Sequence, residues 1–369
     1  TLTAINPKAI TSKTSPEVAV YEAFYSNYYG LNQTARTKVA KMYRQFPGDS
    51  RYLTIQTSAT GNHWLVFDKS PNQPHPQIKW FDHVSGITHA VLSPIAQSKH
   101  IKKQLTRTEI LKYKVSDGME QHAYLTLPID TDVSTIPLVV MPHGGPWSRD
   151  VGSRNKLAAF LASRGYAVLR PNFRASSGLG RHFTLSANKD FGNGVVQQDI
   201  VDAVMFTLAQ GIGNKEKLAI AGHSFGGFSA MAGLSFTPDL FKLGFAGAPP
   251  PDLGAAIKYM ARNDHRNRNT QKRLFLSQLA VDLNDDADVA RLYEQSPMNH
   301  WQAITKPLYI WAGQHDDRVD IKQVKQYANL MRQNNQRVSL LVSPNAGHGP
   351  KAGIEREAYF YMLEVALAT

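Results

Sequence analysis

The sequence of 369 residues contains no cysteine. This absence excludes disulfide bonds, cysteine-ligated zinc and a cysteine nucleophile, and it is compatible with either a cytoplasmic or a periplasmic protein. No apolar run approaches the roughly 18 residues needed to cross a bilayer, so we expect a soluble protein without a membrane partner. The first residues lack the apolar segment of a signal peptide. The missing initiator Met would be expected of a processed or shortened chain.

Acidic residues are in the minority, with 29 Asp and Glu against 41 Lys and Arg and a net charge of +12. Such an excess can indicate a polyanionic partner. No nucleic-acid-binding motif accompanies it and most basic residues are scattered, so we expect no nucleic acid partner. Residues 99–107 and 262–273 form two denser basic runs. We interpret both as solvated loops, with substrate contact by arginines of the second run as the alternative.

Hydrophobic residues make up 42% of the chain, enough for a sizeable core. After residue 108, a leading antiparallel pair is followed by apolar strands that alternate with helices. This pattern predicts an α/β fold with a mostly parallel sheet and helices on both faces. The strands are predicted at 137–142, 166–172, 217–222, 241–247, 307–313 and 337–343, and the helices at 156–165, 195–210, 321–333 and 355–368.

The first 105 residues have a different pattern. Short alternating runs at 51–58, 63–69 and 77–83 predict three antiparallel strands, and residues 33–45 predict a helix. A unit of this size is marginally stable alone, so we expect it to pack on a larger domain. We therefore predict two domains, at 1–105 and 106–369.

The strongest chemical signal is the pattern G-x-S-x-G, formed by Gly222 to Gly226. It follows a predicted strand and opens a predicted helix, as a nucleophile elbow requires. In such an elbow, Ser224 projects above the sheet, while Gly222 and Gly226 avoid collisions with the neighbouring backbone. We therefore predict that Ser224 is a catalytic nucleophile.

A serine hydroxyl is a weak nucleophile and needs a base and an orienting acid. His348 lies in a glycine-flanked loop directly after a predicted strand, and we predict it as the base. Asp316 lies after the strand before that one, with Asp317 and Asp320 as rivals for the acid. The chain order of serine, acid and histidine is that of α/β-hydrolases.

The turn after the strand at 137–142 has the sequence HGGP. A backbone N–H in such a turn can contribute to an oxyanion hole, together with the residue after the nucleophile. We predict that the N–H groups of Gly145 and Phe225 form this hole. No cofactor and no metal are expected.

Together these motifs resemble those of the prolyl oligopeptidase family of serine peptidases, in its acylaminoacyl-peptidase-like branch. The resemblance covers about residues 108–369 and, more weakly, 45–83. It implies an α/β-hydrolase fold and favours Asp316 as the acid. Family members carry an N-terminal β-propeller, and residues 51–83 resemble its last blade. The motifs are HGGP at 143–146, GYAVLRPNFRASSGLG at 165–180, GHSFGG at 222–227, SPMNHW at 296–301, GQHDDRV at 313–319 and GHG at 347–349.

The function predicted from these residues is hydrolysis of short peptides through an acyl-enzyme. A carboxylesterase with the same triad is the nearest alternative, and a catalytically silent binding module with a hydrolase fold is a second. The expected partner is a short peptide or ester substrate, and a homo-oligomer is compatible with the sequence.

Overall fold

The structure is a computed structural model that describes residues 8–12, 15–22, 24–46, 52–58, 63–72, 77–91, 106–263 and 281–369. Residues 99–105 and 264–273, which make up most of the two basic runs, lie outside the described residues. The domain boundary expected at residue 105 also lies outside them. Within the described ranges, no helix combines the length and the apolar character needed to cross a membrane.

Two small antiparallel sheets and a helix form the N-terminal part. The predicted helix and three predicted strands are confirmed, while a first sheet and the strand β7 were not predicted. The elements are β1 (Lys8–Ser12), β2 (Ser15–Glu22), β3 (Ser26–Gly30), α1 (Gln33–Gln45), β4 (Leu53–Thr57), β5 (His63–Asp68), β6 (Gln77–Asp82) and β7 (Thr88–Ala90).

These small sheets share one core around α1, in which Val39, Met42 and Trp64 belong to the same cluster of buried residues. They also hydrogen-bond to the larger part of the protein. The Tyr124 hydroxyl donates to the carbonyl oxygen of Phe24 at 2.8 Å, and two more such contacts tie this part to the rest. These are the bonds from Arg154 N to Lys69 O at 3.0 Å and from Thr108 N to Asn72 Oδ1 at 2.7 Å. The small sheets therefore pack against the larger part, as their size led us to expect.

The larger part contains an eight-stranded sheet in the order β15-β14-β13-β12-β10-β11-β9-β8. Strands β10 to β15 run parallel, and the antiparallel strands β8 and β9 form one edge, as predicted. The strands are β8 (Thr106–Lys114), β9 (Glu120–Pro128), β10 (Pro137–Val140), β11 (Ala167–Asn172), β12 (Asn214–His223), β13 (Leu243–Gly247), β14 (Leu308–Gly313) and β15 (Val338–Ser343).

Helices cover both faces of this sheet, which confirms the predicted α/β-hydrolase fold. Leu161 and Leu363 pack on one face, and Ile200, Phe228 and Tyr327 pack on the other. The helices are α2 (Lys156–Ala162), α3 (Arg181–Leu185), α4 (Val195–Ala209), α5 (Phe225–Phe236), α6 (Leu253–Asn263), α7 (Asp286–Glu294), α8 (Ile321–Gln333) and α9 (Ile354–Ala368). Of these, α3, α6 and α7 were not predicted.

Parallel strands place their carboxyl ends at one edge of a sheet, where ligands bind in open α/β folds. Strands β10, β12, β14 and β15 end just before the HGGP turn, Ser224, Asp316 and His348, respectively. The topology therefore brings all four predicted site segments to the same edge.

Candidate active site

Ser224 lies at the sharp turn between β12 and α5. Its backbone has φ 59° and ψ −122°, a conformation that is costly for a residue with a side chain. Two backbone hydrogen bonds hold it, from Ser224 N to Gly247 O at 2.7 Å and from Phe228 N to Ser224 O at 2.9 Å. The chain is thus fixed in the strained turn that a nucleophile elbow requires.

The glycines on either side of Ser224 are required by close backbone contacts. A Cβ atom on Gly222 would lie 2.3 Å from the carbonyl carbon of Gly226. A Cβ atom on Gly226 would lie 2.1 Å from the carbonyl oxygen of Pro142, just after β10. The predicted elbow glycines therefore allow the helix, the strand and the HGGP segment to approach one another.

His348 and Asp316 form a hydrogen-bonded pair. The imidazole Nδ1 lies 3.0 Å from Oδ1 and 2.9 Å from Oδ2 of the carboxylate. Asp316 is 6% exposed. Its Oδ1 also accepts the backbone N–H groups of Arg318 at 2.8 Å and Val319 at 3.0 Å. These bonds fix the carboxylate so that it orients the imidazole.

The two rival aspartates have other surroundings. Asp317 is exposed, and Asp320 caps helix α8 by accepting the N–H of Lys322 at 2.9 Å. In the described part of the chain, neither carboxylate forms a hydrogen bond or ion pair with His348. The structure therefore brings Asp316 to the imidazole.

His223, the second residue of the elbow, contacts the His348 loop. Its Nε2 donates to the carbonyl oxygen of His348 at 2.6 Å. Burial, followed by the nearby charge of His348, lowers the pKa of His223 to about 4. His223 is therefore neutral at pH 7 and helps to hold the loop that carries the predicted base. His315, in contrast, is exposed.

Ser224 and His348 line one cavity of about 370 Å³. Among the described residues, no hydrogen bond joins the Ser224 hydroxyl to the imidazole. Such bonds often tighten only when substrate binds.

The predicted oxyanion donors lie beside this cavity. Phe225 is the first residue of α5, so its N–H has no acceptor within the helix. Gly145 has φ 120°, and its N–H donates to no acceptor in the described ranges. A Cβ atom on the adjacent Gly144 would lie 3.5 Å from Ser224 Cβ. The HGGP turn is thus next to the nucleophile, and the N–H groups of Gly145 and Phe225 can donate to an oxygen atom of a ligand.

His143, the first residue of that turn, forms hydrogen bonds at the site and was not predicted from the sequence as a site residue. Its Nδ1 lies 2.8 Å from the carbonyl oxygen of Gly144, and its Nε2 lies 2.7 Å from the Ser176 hydroxyl. The ring stacks on Phe173 at 4.2 Å. Burial lowers the pKa of His143, so the ring is neutral. Because a carbonyl can only accept, Nδ1 carries the proton, and the Ser176 hydroxyl lies between Nε2 and the carbonyl oxygen of Phe173 at 2.6 Å.

One wall of the cavity is apolar and is formed largely by helix α6, which was not predicted. Trp147 and Val319 contribute from neighbouring loops. The signal for this helix was the helical spacing of apolar residues, at i, i+3, i+4 and i+7. The four residues with this spacing are Leu253, Ala256, Ile257 and Met260.

Residues 153–366 match the prolyl oligopeptidase family. The chain belongs to this family. It is 36% identical over 353 residues to dipeptidyl aminopeptidase BIII of Pseudoxanthomonas mexicana, a match that covers 92% of this chain and 48% of the relative. It is 29% identical over 287 residues to the acylamino-acid-releasing enzyme of Homo sapiens, covering 77% of this chain and 35% of that enzyme.

Solved structures show the same fold. An acylaminoacyl peptidase of Pyrococcus horikoshii superposes with a TM-score of 0.73 at 17% identity, covering 99% of this chain and 56% of that one. A puromycin-hydrolyzing peptidase of Mycobacterium tuberculosis gives 0.70 at 24% identity, covering 87% and 48%. This member of the prolyl oligopeptidase family spans about half the length of the curated relatives that it matches first. Within its described residues, no three His, Cys, Asp or Glu side chains form a group that could hold a metal ion.

Proposed function

We propose that this protein is a serine peptidase that cleaves short peptides through an acyl-enzyme intermediate. One observation carries the proposal. His348, whose imidazole pairs with Asp316, borders the same cavity as Ser224, which is held at a strained elbow. This combination of a nucleophile, a base and an orienting acid is the arrangement that acyl transfer needs.

In the proposed reaction, Ser224 Oγ attacks the carbonyl carbon of the scissile bond while His348 Nε2 takes the hydroxyl proton. The bond from His348 Nδ1 to Asp316 leaves Nε2 free to act as this base. Asp316 stabilises the positive charge that develops on the imidazole. His348 then gives the proton to the leaving amine, and water releases the acyl group by the same steps.

The tetrahedral intermediate carries a negative charge on the former carbonyl oxygen. We assign its stabilisation to the N–H groups of Phe225 and Gly145, which border the cavity on the side of the HGGP turn. Losing one such donor costs about 3 kcal/mol of transition-state stabilisation in serine proteases. The bonds of neutral His143 to Gly144 and Ser176 would keep this turn in position.

The apolar wall supports a preference on the acyl side of the cleaved bond. Leu253, Ile257 and Met260 offer contacts to a large apolar side chain, and Arg318 contributes a cationic group elsewhere in the lining. Each methylene buried in such a pocket stabilises a complex by about 0.8 kcal/mol. We therefore expect the residue that acylates Ser224 to be apolar or aromatic.

The family assignment and the names of the relatives, an aminopeptidase and an acylamino-acid-releasing enzyme, support a short peptide as the substrate. The test compares kcat/KM for N-acetylated peptides and for a p-nitrophenyl ester with the same acyl residue. Clear hydrolysis of the peptides, abolished by Ser224→Ala, is the expected result. Ester hydrolysis without peptide hydrolysis would identify a carboxylesterase. Activity on neither, with intact folding, would identify a silent binding module.

A further inference from the structure

A second cleft of about 500 Å³ lies beside the loop that carries His348. Among the described residues that line it, Asp150 is the one carboxylate, and cationic side chains outnumber it. Its lining includes five cationic side chains, those of Arg149, Arg154, Lys156, Arg170 and Arg356. A concave surface with this imbalance attracts anions.

Arg170 is the buried cation of this cleft and is 2% exposed. Its Nη1 donates to Asp150 Oδ1 at 2.6 Å, and its guanidinium carbon lies 5.3 Å from the centre of the Tyr124 ring. Its Nε and Nη2 are buried and have no hydrogen-bond partner among the described residues. Leaving buried donors of a charged group unpaired costs more than about 1–3 kcal/mol, so we expect a hydrogen-bond acceptor to bind these atoms.

The two unpaired atoms lie on the same edge of the guanidinium group. An edge with two parallel N–H groups matches the two oxygens of a carboxylate. Arg170 also lines a smaller cavity of about 180 Å³, which extends to Gly144 and Gly222 beneath the elbow. At the protein surface, the exposed Lys156 and Arg356 make no ion pair with any described residue. The lining of the cleft thus combines a buried guanidinium group that has two unpaired donors with two exposed cations that make no described ion pair.

The position of the cleft beside the His348 loop indicates which part of the substrate it can contact, namely the part after the cleaved bond. Its lining includes His223, Gly349 and Pro350, so it borders the loop on which His348 lies. The apolar cavity contains Ser224 and His348 and lies toward helix α6. Since the acyl side chain is assigned to that apolar cavity, and His348 protonates the leaving amine in the proposed reaction, we place the departing peptide on the other side of the His348 loop.

We propose that this cationic cleft binds a carboxylate on the leaving portion of the substrate. The inference rests on the proposed peptidase function and adds a specificity that this function alone does not require. The carboxylate has two sources with the same chemistry, the C-terminus of a short peptide and an acidic side chain after the cleaved bond. Lys156 and Arg356 draw it in, and Arg170 binds it through Nε and Nη2 once the groups that cover these two atoms move aside.

The turnover test uses pairs of N-acetylated tetrapeptides that differ only in a free or amidated C-terminus, at constant low ionic strength. In the wild type, kcat/KM for the acid exceeds that for the amide by about tenfold, the value of one charged hydrogen bond. The ratio falls toward one in Arg170→Gln and in Arg356→Gln. The matched control Arg332→Gln, at the exposed end of α8, keeps the wild-type ratio.

A third substrate distinguishes the two sources, namely the amidated peptide with Asp in its leaving portion. If Asp restores the rate in the wild type but not in Arg356→Gln, an acidic side chain serves as well as the C-terminus. If only the free C-terminus is favoured, the cleft recognises chain ends. Both results support the proposal.

Binding to Ser224→Ala, measured by calorimetry, separates this proposal from the proposed function. Tighter binding of the acid than of the amide, with this difference lost in Arg356→Gln in the same background, supports the carboxylate site even if no peptide is hydrolysed by the wild type. Equal affinities for acid and amide overturn the carboxylate site even if the peptidase activity is established. Since Arg356 is exposed, this variant does not depend on whether Arg170→Gln folds.

Discussion

The large sheet and the small four-stranded sheet differ in how their strands are buried. In β11 and β13 of the large sheet every residue is buried, because helices cover both faces. In β5 of the small sheet burial alternates, with Trp64 and Val66 inside and their neighbours half-buried. The predicted catalytic residues follow strands of the large sheet, where the backbone is held from both sides. Substitutions at its edge should therefore change activity, whereas those in the small sheet should change mainly stability.

The same substitution made in each region gives the largest contrast. Ser224→Ala should lower kcat for peptides by about 10⁴-fold or more, since it removes the proposed nucleophile. Ser85→Ala, in the exposed turn before β7, should leave kcat within about twofold. Steady-state kinetics with one acyl-peptide would check both. Equal rates for the two variants would break the comparison.

A second contrast is between two neighbouring aspartates in the loop that follows β14 of the large sheet. Asp316→Asn should lower kcat by about 10⁴-fold, because an amide neither fixes the imidazole tautomer nor stabilises its charge. Asp317→Asn, at the exposed neighbouring position, should have little effect. Both variants need the same kinetic assay together with circular dichroism to confirm folding. Similar losses in the two would mean that the acid has been assigned to the wrong residue.

Glycine substitutions compare stability in the two regions. Gly226→Ala would force a Cβ atom to 2.1 Å from a backbone oxygen, so we expect it to lower the free energy of unfolding by about 3 kcal/mol. Gly86→Ala, at φ 73°, meets only the flexible side chain of Lys41 at 3.0 Å, and should cost about 1 kcal/mol. Denaturant unfolding measures both values. A larger loss from Gly86→Ala would contradict the greater constraint at the elbow.

The last predicted effect is a pH dependence of the small sheet. His83 contacts Trp64, and burial, followed by the charge of Lys38, lowers its pKa to about 4 from an ordinary value of 6.5. The folded state therefore binds this proton more weakly than the unfolded state. Its contribution to stability is complete above pH 6.5, falls as the pH drops toward 4, and levels off below that.

Amide hydrogen exchange, expressed as protection factors for β4 to β6, would detect this loss. His83→Leu removes the titrating group, so the protection of these strands should depend less on pH than in the wild type. His122 and His223, whose pKa values are also lowered, remain in both proteins and serve as an internal control. An unchanged pH profile in the variant would exclude His83 as the cause.

The sequence predicted the elements whose pattern is set by burial on both faces. Short continuous apolar runs such as β10 and β14, followed by turn residues, are typical of strands buried on both faces. The elbow glycines were predictable because their steric cause acts over a few residues. The first sheet, β1 to β3, was missed because its alternation is weak in a polar segment with several tyrosines. Strand β7 has three residues, too few for any periodicity.

The site was predicted where chain order and strand ends determine it, as for Ser224 and His348. The choice of Asp316 over its neighbours needed the resemblance, since adjacent aspartates differ only in where the loop turns. Arg170 could not have been singled out, because its unpaired edge results from contacts between distant segments. Long-range packing of that kind has no local sequence signal.

The central claim is that Ser224, activated by His348, is the nucleophile. Labelling the folded protein with a fluorophosphonate probe, followed by peptide mass spectrometry, tests it most directly. We expect one modified site, Ser224, with no labelling in Ser224→Ala and much slower labelling in His348→Ala. An unlabelled folded protein, or a label on a different serine, would contradict it.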